Sequence, residues 1–146
     1  MGSEIVAIRK AQVEDWQAIG ELLNQLEYPN TELILKGKLE KLVNHPDEEL
    51  LVYEEDGNIL AFISMHYIPQ IALKGDFARI SYFAVQTLVR SKGIGREMEE
   101  YCTNLAIKRN CDRMEVHCHS RRSAAHRFYS RQGYAESPKY FIKMIN

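Results

Sequence analysis

Apolar and polar positions recur with two different periods along this 146-residue chain, and the switches between them mark its elements. Ile5, Val6, Ala7 and Ile8 form a short apolar run ending in Arg9-Lys10, after which Trp16, Ile19, Leu23 and Leu26 recur at helical spacing, so a strand and then an amphipathic helix are expected. Pro29-Asn30 interrupts, Thr31 can cap a second helix, and Leu35, Leu39, Leu42 and Val43 carry its apolar stripe to His45-Pro46. Residues 50–53 and 59–65 flank Asp56-Gly57, a dipeptide suited to the positive-φ positions of a tight hairpin, and predict two antiparallel strands. Residues 78–85, dense in Ile, Tyr, Phe and Val, predict a further strand. It runs into Arg90-Ser91-Lys92-Gly93-Ile94-Gly95, beyond which Ile94, Met98, Cys102 and Leu105 make the buried stripe of a helix, with Arg96, Glu97, Glu99, Glu100 and Lys108 expected in water. Residues 114–118 predict a strand, residues 121–132 a helix closed by Gly133, and residues 140–145 a last strand. The order β-α-α-β-β-β-α-β-α-β, without repeat or linker, predicts an α/β domain over residues 1–146 with a mixed sheet and helices on both faces.

Composition narrows the class. With 45% apolar and 27% charged residues the chain reads as one soluble domain, long enough to bury roughly 68–70% of its unfolded surface without staples. No run approaches the ~20 apolar residues of a membrane helix and no signal peptide opens the chain, so a cytoplasmic location and no membrane partner are expected. Met1-Gly2-Ser3 is not a myristoylation signal, because Val6 stands where that motif needs Ser or Thr. Cys102, Cys111 and Cys118, odd in number, read as free thiols. Residues 1–89 hold 7 Lys/Arg against 14 Asp/Glu, and residues 90–146 hold 12 against 6, so the net charge of -1 conceals an acidic and a basic part. An anionic ligand on the basic part fits this split, and so does simple attraction between the two parts. Nucleic acid is not expected, since the aromatic residues are not interleaved with the basic cluster.

The strand, short loop, Arg90-x-x-Gly93-x-Gly95 and helix form the most informative segment. Glycines at a helix start allow close backbone approach, and the free N–H groups with the positive dipole end suit pyrophosphate, with Arg90, Lys92 and Arg96 around them. A plain tight loop also uses such glycines. A Walker loop is excluded because no Gly-Lys-Ser/Thr follows, and a dinucleotide fingerprint because Met98 stands where its third glycine belongs.

Phe83-Ala84-Val85 before that turn, with Ala125-His126-Arg127-Phe128-Tyr129 and Gly133-Tyr134 about thirty residues later, resembles the GCN5-related N-acetyltransferase superfamily. The resemblance extends to Leu26-Glu27-Tyr28-Pro29, the Asp56-Gly57 hairpin and Phe141-Ile142-Lys143, nearly the whole chain. It implies the acyl-CoA N-acyltransferase fold: a mostly antiparallel sheet of six or seven strands flanked by four helices and splayed at the strands ending near Val85 and Cys118. It further implies acetyl-CoA as donor, its pyrophosphate held by Arg90, Ser91, Lys92, Gly93, Ile94, Gly95 and Arg96, and its pantetheine along Phe83, Ala84 and Val85. The acceptor implied is a primary amine of a small molecule or peptide, attacking directly while an N–H near Val85 polarises the thioester. Tyr129 matches the tyrosine that protonates the leaving thiolate, a step a phenol can perform. A homodimer is a weaker implication. A non-catalytic acyl-CoA-binding sensor of the same fold is the alternative.

Two departures bear on mechanism. Many members carry a carboxylate on the strand before the turn, where this chain reads Arg79-Ile80-Ser81-Tyr82-Phe83. An alkylammonium with a pKa of about 10 must lose a proton before attack, so the base comes from elsewhere: Glu27 leads, with His66, His119 and Tyr82 behind. Arg122 stands where the family commonly has asparagine, and with Arg121 it suits a phosphate or an acidic group on the substrate. Glu115, His117 and His119 share one strand face at a metal-compatible spacing, yet on a strand inside a covered sheet they read as packed, hydrogen-bonded groups; no metal is expected. His126 reads as a packing or capping residue, and Cys118 as a small apolar filler.

Overall fold

The computed structural model describes residues 6–117, 122–137 and 140–145. Strand β1 (Val6–Lys10) leads through a short turn into helices α1 (Trp16–Gln25) and α2 (Glu32–Leu42). Then come β2 (Glu48–Glu55), β3 (Asn58–Ile68) and β4 (Phe77–Val85), helix α3 (Ile94–Lys108), β5 (Arg113–Val116) and helix α4 (Ser123–Arg131). The strands lie in the order β1-β2-β3-β4-β5, antiparallel except for the β4–β5 pair, which is parallel. This is the expected mixed sheet with its helices, in five strands among the described residues where six or seven were expected.

The sheet separates two cores. Leu51, Tyr53, Ile63, Met65, Ala78 and Ile80 pack with Ile94, Met98, Cys102 and Ala106 of α3 on one face. Leu50, Val52, Phe62 and Ala84 pack with Ile19, Leu22 and Leu23 of α1 and with Leu35 and Leu39 of α2 on the other. Two-residue alternation supplies both faces at once, so the central strands read as nearly continuous apolar runs.

Turn chemistry follows the sequence closely. Asp56 (φ 51°) and Gly57 (φ 82°) form the two-residue link between β2 and β3, and Gly133 (φ 96°) follows the end of α4, with the Tyr134 N–H donating back to the Tyr129 carbonyl. Each hairpin also contains a register shift. Leu60 is the extra residue opposite Tyr53 and Glu54, and Ser81 is the extra residue opposite Ser64 and Met65.

Three expectations need correction. Residues 140–145 form no strand; Phe141, Ile142, Met144 and Ile145 are 71–92% exposed, although Tyr140 stacks on His117 at 4.3 Å. An alternating apolar run becomes a strand only where a partner edge takes up its backbone groups, and this run is in no ladder with β5. For the same reason β5 is an edge strand among the described residues, and His117 is exposed rather than covered. Glu99, expected in water, is buried at 4% exposure beside Met98, where Tyr134 and Thr103 each donate a hydrogen bond of 2.9 Å to its Oε2. Cys118, His119 and Arg121 lie outside the described residues.

Met98 has no exposed surface and sits centrally between α3 and the sheet. Met98→Ala is expected to lower unfolding stability by about 2–5 kcal/mol, read as a lower urea midpoint at unchanged slope.

Candidate functional site

The site begins where β4 parts from β5. Only Phe77–Ile80 pair with Arg113–Val116; from Ser81 onward β4 keeps β3 on one side and has no strand on the other among the described residues. The Gln86 N–H donates to the Leu60 carbonyl, and Ala61 lies opposite Val85. In an antiparallel ladder this makes Val85 and Phe83 members of non-hydrogen-bonded pairs, so their N–H and C=O groups point to the open side. The result is a short stretch of edge joined by no strand among the described residues, the kind of backbone an extended ligand chain can join.

At the end of that edge the chain tightens into a 3-10 turn over Thr87–Lys92 and enters α3 through Gly93. Gly93 has φ 80°, a left-handed conformation that favours glycine, and no side chain caps the helix start. The first-turn N–H groups therefore lack a capping partner from a side chain. Arg90, Lys92 and Arg96 are exposed around them; Arg90 Nε donates to the Val85 carbonyl at 3.3 Å, and Arg96 bonds Glu100 one turn on. Ile94 places its side chain in the core and its backbone in the first turn. Phe83, Ala84, Val85, Arg90, Ser91, Lys92, Gly93, Ile94, Gly95 and Arg96 thus form one continuous strand-to-helix lip.

Gly95 has a different role from Gly93. A Cβ built on it would lie 3.3 Å from Phe128 of α4 and 3.8 Å from Phe83 of β4, and the two rings meet edge to face at 5.9 Å. Absence of a side chain at Gly95 is what lets α4 reach β4. The next residue, Tyr129, is half-buried between Phe128 (5.2 Å) and Tyr134 (5.4 Å). The two tyrosines differ in chemistry: burial, reinforced by the charge of Glu99 and its hydrogen bond, pushes the Tyr134 phenol far above its ordinary range. That phenol holds its proton at any physiological pH.

On the opposite face of β4, α1 ends at the other wall of the opening. Glu27 follows its last turn with φ 72°, a left-handed conformation rare for a carboxylate residue, and the Tyr28 N–H donates to the Leu23 carbonyl. The Tyr28 ring meets the exposed Tyr82 edge to face at 5.2 Å, and burial followed by the Tyr28 contact raises the Tyr82 phenol. Arg122, at the start of α4, reaches this side: its guanidinium donates to the Leu26 carbonyl at 2.8 Å and lies 3.3 Å from Glu27. Sequence spacing brought Glu27, Arg122 and Tyr129 forward separately; the fold assembles Glu27 with Arg122, and sets Tyr129 between Phe128 and Tyr134.

Sequence reasoning missed two constellations. Gln25 of α1 bonds the Gln86 side chain at 3.0 Å and both the N–H and hydroxyl of Thr87 at 3.1 Å, tying α1 to the turn before α3. Glu48, buried on β2, accepts from Ser64 at 2.7 Å, while its other oxygen lies 2.5 Å from His66 Nδ1; His66 Nε2 lies 2.7 Å from the Ser81 hydroxyl. By contrast Glu115 is bound by Arg79 at 2.8 Å, and no group of three His, Cys, Asp or Glu side chains suited to a metal occurs among the described residues. Cys102 and Cys111 are free; burial, then the charges of Glu49 and Glu99, pushes the Cys102 thiol up to about 12. No helix among the described residues is long and apolar enough to cross a membrane.

This splayed edge running into an uncapped, glycine-started helix is the acetyltransferase architecture, and the profile of the Acetyltransferase (GNAT) family matches residues 6–134. The chain belongs to that family. The match stops short of residues 141–143, where the resemblance had been expected to continue. None of the curated proteins matches the chain. Among solved structures it is similar to a transcriptional regulator from Bacillus halodurans (19% identity, 97% of this chain and 100% of that one, TM-score 0.87). A GNAT family acetyltransferase from Staphylococcus aureus (22%, 96% and 98%, TM-score 0.80) shares the fold. So does an aminoglycoside N-acetyltransferase in complex with CoA (11%, 98% and 96%, TM-score 0.85).

Because Phe128 stands within 3.3 Å of the built Cβ, Gly95→Ala is expected to push α4 outward and cost about 1–3 kcal/mol, measured by urea unfolding, with a changed tyrosine signal in near-ultraviolet circular dichroism.

Proposed function

We propose that this chain transfers an acetyl group from acetyl-CoA to a primary amine of a small molecule or peptide by direct attack. The observation that carries the reading is the convergence of three features: the open β4 edge, the uncapped start of α3, and the α4 helix bearing Tyr129. The groups present fit acetyl-CoA. The N–H groups of Gly93, Ile94, Gly95 and Arg96 suit a pyrophosphate, with Arg90 and Lys92 adding positive charge. Phe83 offers outward N–H and C=O groups, and Val85 its N–H, to the amides of a pantetheine chain.

The Val85 N–H is suited to polarise the thioester carbonyl, because it is fixed by the ladder on its other side and needs no rearrangement. Tyr129 is assigned the proton for the departing sulfur; Tyr134, its proton held against Glu99, is not suited to that step. On the acceptor side Tyr28, Tyr82 and Glu27 make an aromatic, acid-edged mouth that suits a cationic amine, with Arg122 holding Glu27 in place. The second reading, a non-catalytic acyl-CoA sensor, draws on the absence of a carboxylate from residues 79–83 of the strand and on Arg122 in place of the common asparagine, its guanidinium turned to the Leu26 carbonyl and Glu27.

Calorimetric titration should give a clear heat with acetyl-CoA, and ligand at 100 times the dissociation constant should stabilise by ~2.7 kcal/mol. Gly93→Glu, which sets a side chain at φ 80° and a negative charge beside the N–H groups, should abolish both signals. Tyr129→Phe should retain binding and lower kcat for an amine by roughly 10²- to 10⁴-fold. Binding with no turnover on any amine of a broad panel would favour the sensor.

A further inference from the structure

The acetyl-transfer reading leaves open which group takes the ammonium proton, and the β2–β3–β4 face carries an arrangement suited to that task. Glu48 is buried at the start of β2, its side chain 1% exposed. One oxygen receives the Ser64 hydroxyl at 2.7 Å; the other makes no hydrogen bond and lies 2.5 Å from His66 Nδ1. A buried carboxylate oxygen in that position is satisfied when Nδ1 carries a proton, which fixes the ring tautomer and leaves the Nε2 lone pair free. That lone pair faces the Ser81 hydroxyl at 2.7 Å, while the alternative acceptors of the same hydroxyl, the Ser64 carbonyl and hydroxyl, are both at 3.4 Å. The Ser81 hydrogen therefore points at His66 and its oxygen lone pairs point away.

The location of Ser81 turns this trio into more than a structural bond. Ser81 is the extra residue of the β4 bulge and the first residue past the last β4–β5 pair, at the mouth of the opening. The bulge puts it on the same face as its neighbour Tyr82, whose ring meets Tyr28 of the acceptor wall. Both Ser81 and Tyr82 are exposed, whereas Glu48 is sealed behind them. An exposed hydroxyl, a half-exposed imidazole and a buried carboxylate are thus lined up from the mouth inward. The charged groups around the ring are Glu48 from β2 and, from β4, Arg79 directly opposite it in register, whose guanidinium is engaged by Glu115 of β5 at 2.8 Å.

Resting on the acetyl-transfer reading, we infer that Ser81, His66 and Glu48 form the proton relay that deprotonates the acceptor amine. The incoming ammonium gives one proton to the Ser81 oxygen as the Ser81 hydrogen passes to His66 Nε2, leaving a neutral amine and an imidazolium paired with Glu48. The amine nitrogen then forms the C–N bond, the C–S bond breaks with its electron pair on sulfur, and Tyr129 protonates that sulfur. The second nitrogen proton, shed as the amide forms, restores Tyr129, and the imidazolium returns its proton to water. Glu27 has no part in this transfer; it is held by Arg122.

The relay works only while the ring can accept a proton, so kcat/KM for an alkylamine should fall toward acid. In His66→Gln, kcat/KM at neutral pH should drop roughly 10²- to 10⁴-fold and climb with pH toward the pKa of the amine itself, because only amine already deprotonated in solution can react. Ser81→Ala should show the same change with the fold intact, and Glu48→Gln a smaller loss with the acid limb displaced. An acceptor whose amine is unprotonated at neutral pH, such as trifluoroethylamine, should restore the variants nearly to the unsubstituted rate; a purely structural defect would not be rescued. Acetyl-CoA affinity by calorimetry should be unchanged in all three.

Turnover with an unaltered acid limb in both His66→Gln and Ser81→Ala would overturn the relay and leave acetyl transfer standing. So would a loss of the limb in Glu27→Gln alone. An unsubstituted protein that binds acetyl-CoA and turns over no amine would remove both.

Discussion

Everything at the site depends on β4 having one paired edge and one open edge over the same four residues, 82–85. A buried strand normally hydrogen-bonds on both sides, and leaving one side open exposes amides whose desolvation is costly unless something joins them. The cost is localised here. Phe77–Ile80 are paired on both sides, with Ala78 and Ile80 packed against α3, and past the bulge residues 82–85 are held by the pairing with β3 alone. The open edge is therefore rigid while joined by no strand among the described residues, and rigidity is what allows N–H groups to act on a developing charge without moving first.

The bulge at Ser81 and the break from β5 occur at the same place, and each makes the other more useful. A bulge adds twist and redirects side chains, so the residue that would otherwise alternate to the far face joins Tyr82 on the side of Tyr28. The two sides of β4 consequently carry different groups: Phe83 and Val85 belong to the α3 side and its glycine turn, and Ser81 and Tyr82 to the side of Tyr28 and Glu27. The acidic and basic parts of the sequence map onto the same division, since α1 to β4 supply the carboxylates and the turn onward supplies the arginines and lysines.

Elements with a strong local signal were legible in the sequence: the Asp56-Gly57 hairpin, the glycine turn, the helix period of α1, α2 and α3, and the closing Gly133 of α4. What escaped was set by register. The two-residue turn alone would place Glu48 opposite Met65; the extra residue Leu60 moves it to His66, and nothing in the residue types around Leu60 announces the shift. Glu99 escaped for a related reason, because its position beside Met98 reads as solvent-facing until Tyr134 arrives from 35 residues away. The segment 140–145 shows the converse, an alternation fit for a strand with no ladder to enter. Arg122 was legible as a residue with a task, but its direction, toward Glu27 and the Leu26 carbonyl, belongs to the packing of α4 on the end of α1.

Gln25 gives the molecule a mechanical property that neither wall has alone. Its one amide grips Gln86 and Thr87 on the approach to the glycine turn, and two residues later the same chain turns out Glu27 and Tyr28. The end of α1 and the turn before α3 are joined by a strut of three hydrogen bonds, so neither can move without loading the other. Were one ligand to order each end of that strut, the two binding events would be coupled, and by the same factor in each direction.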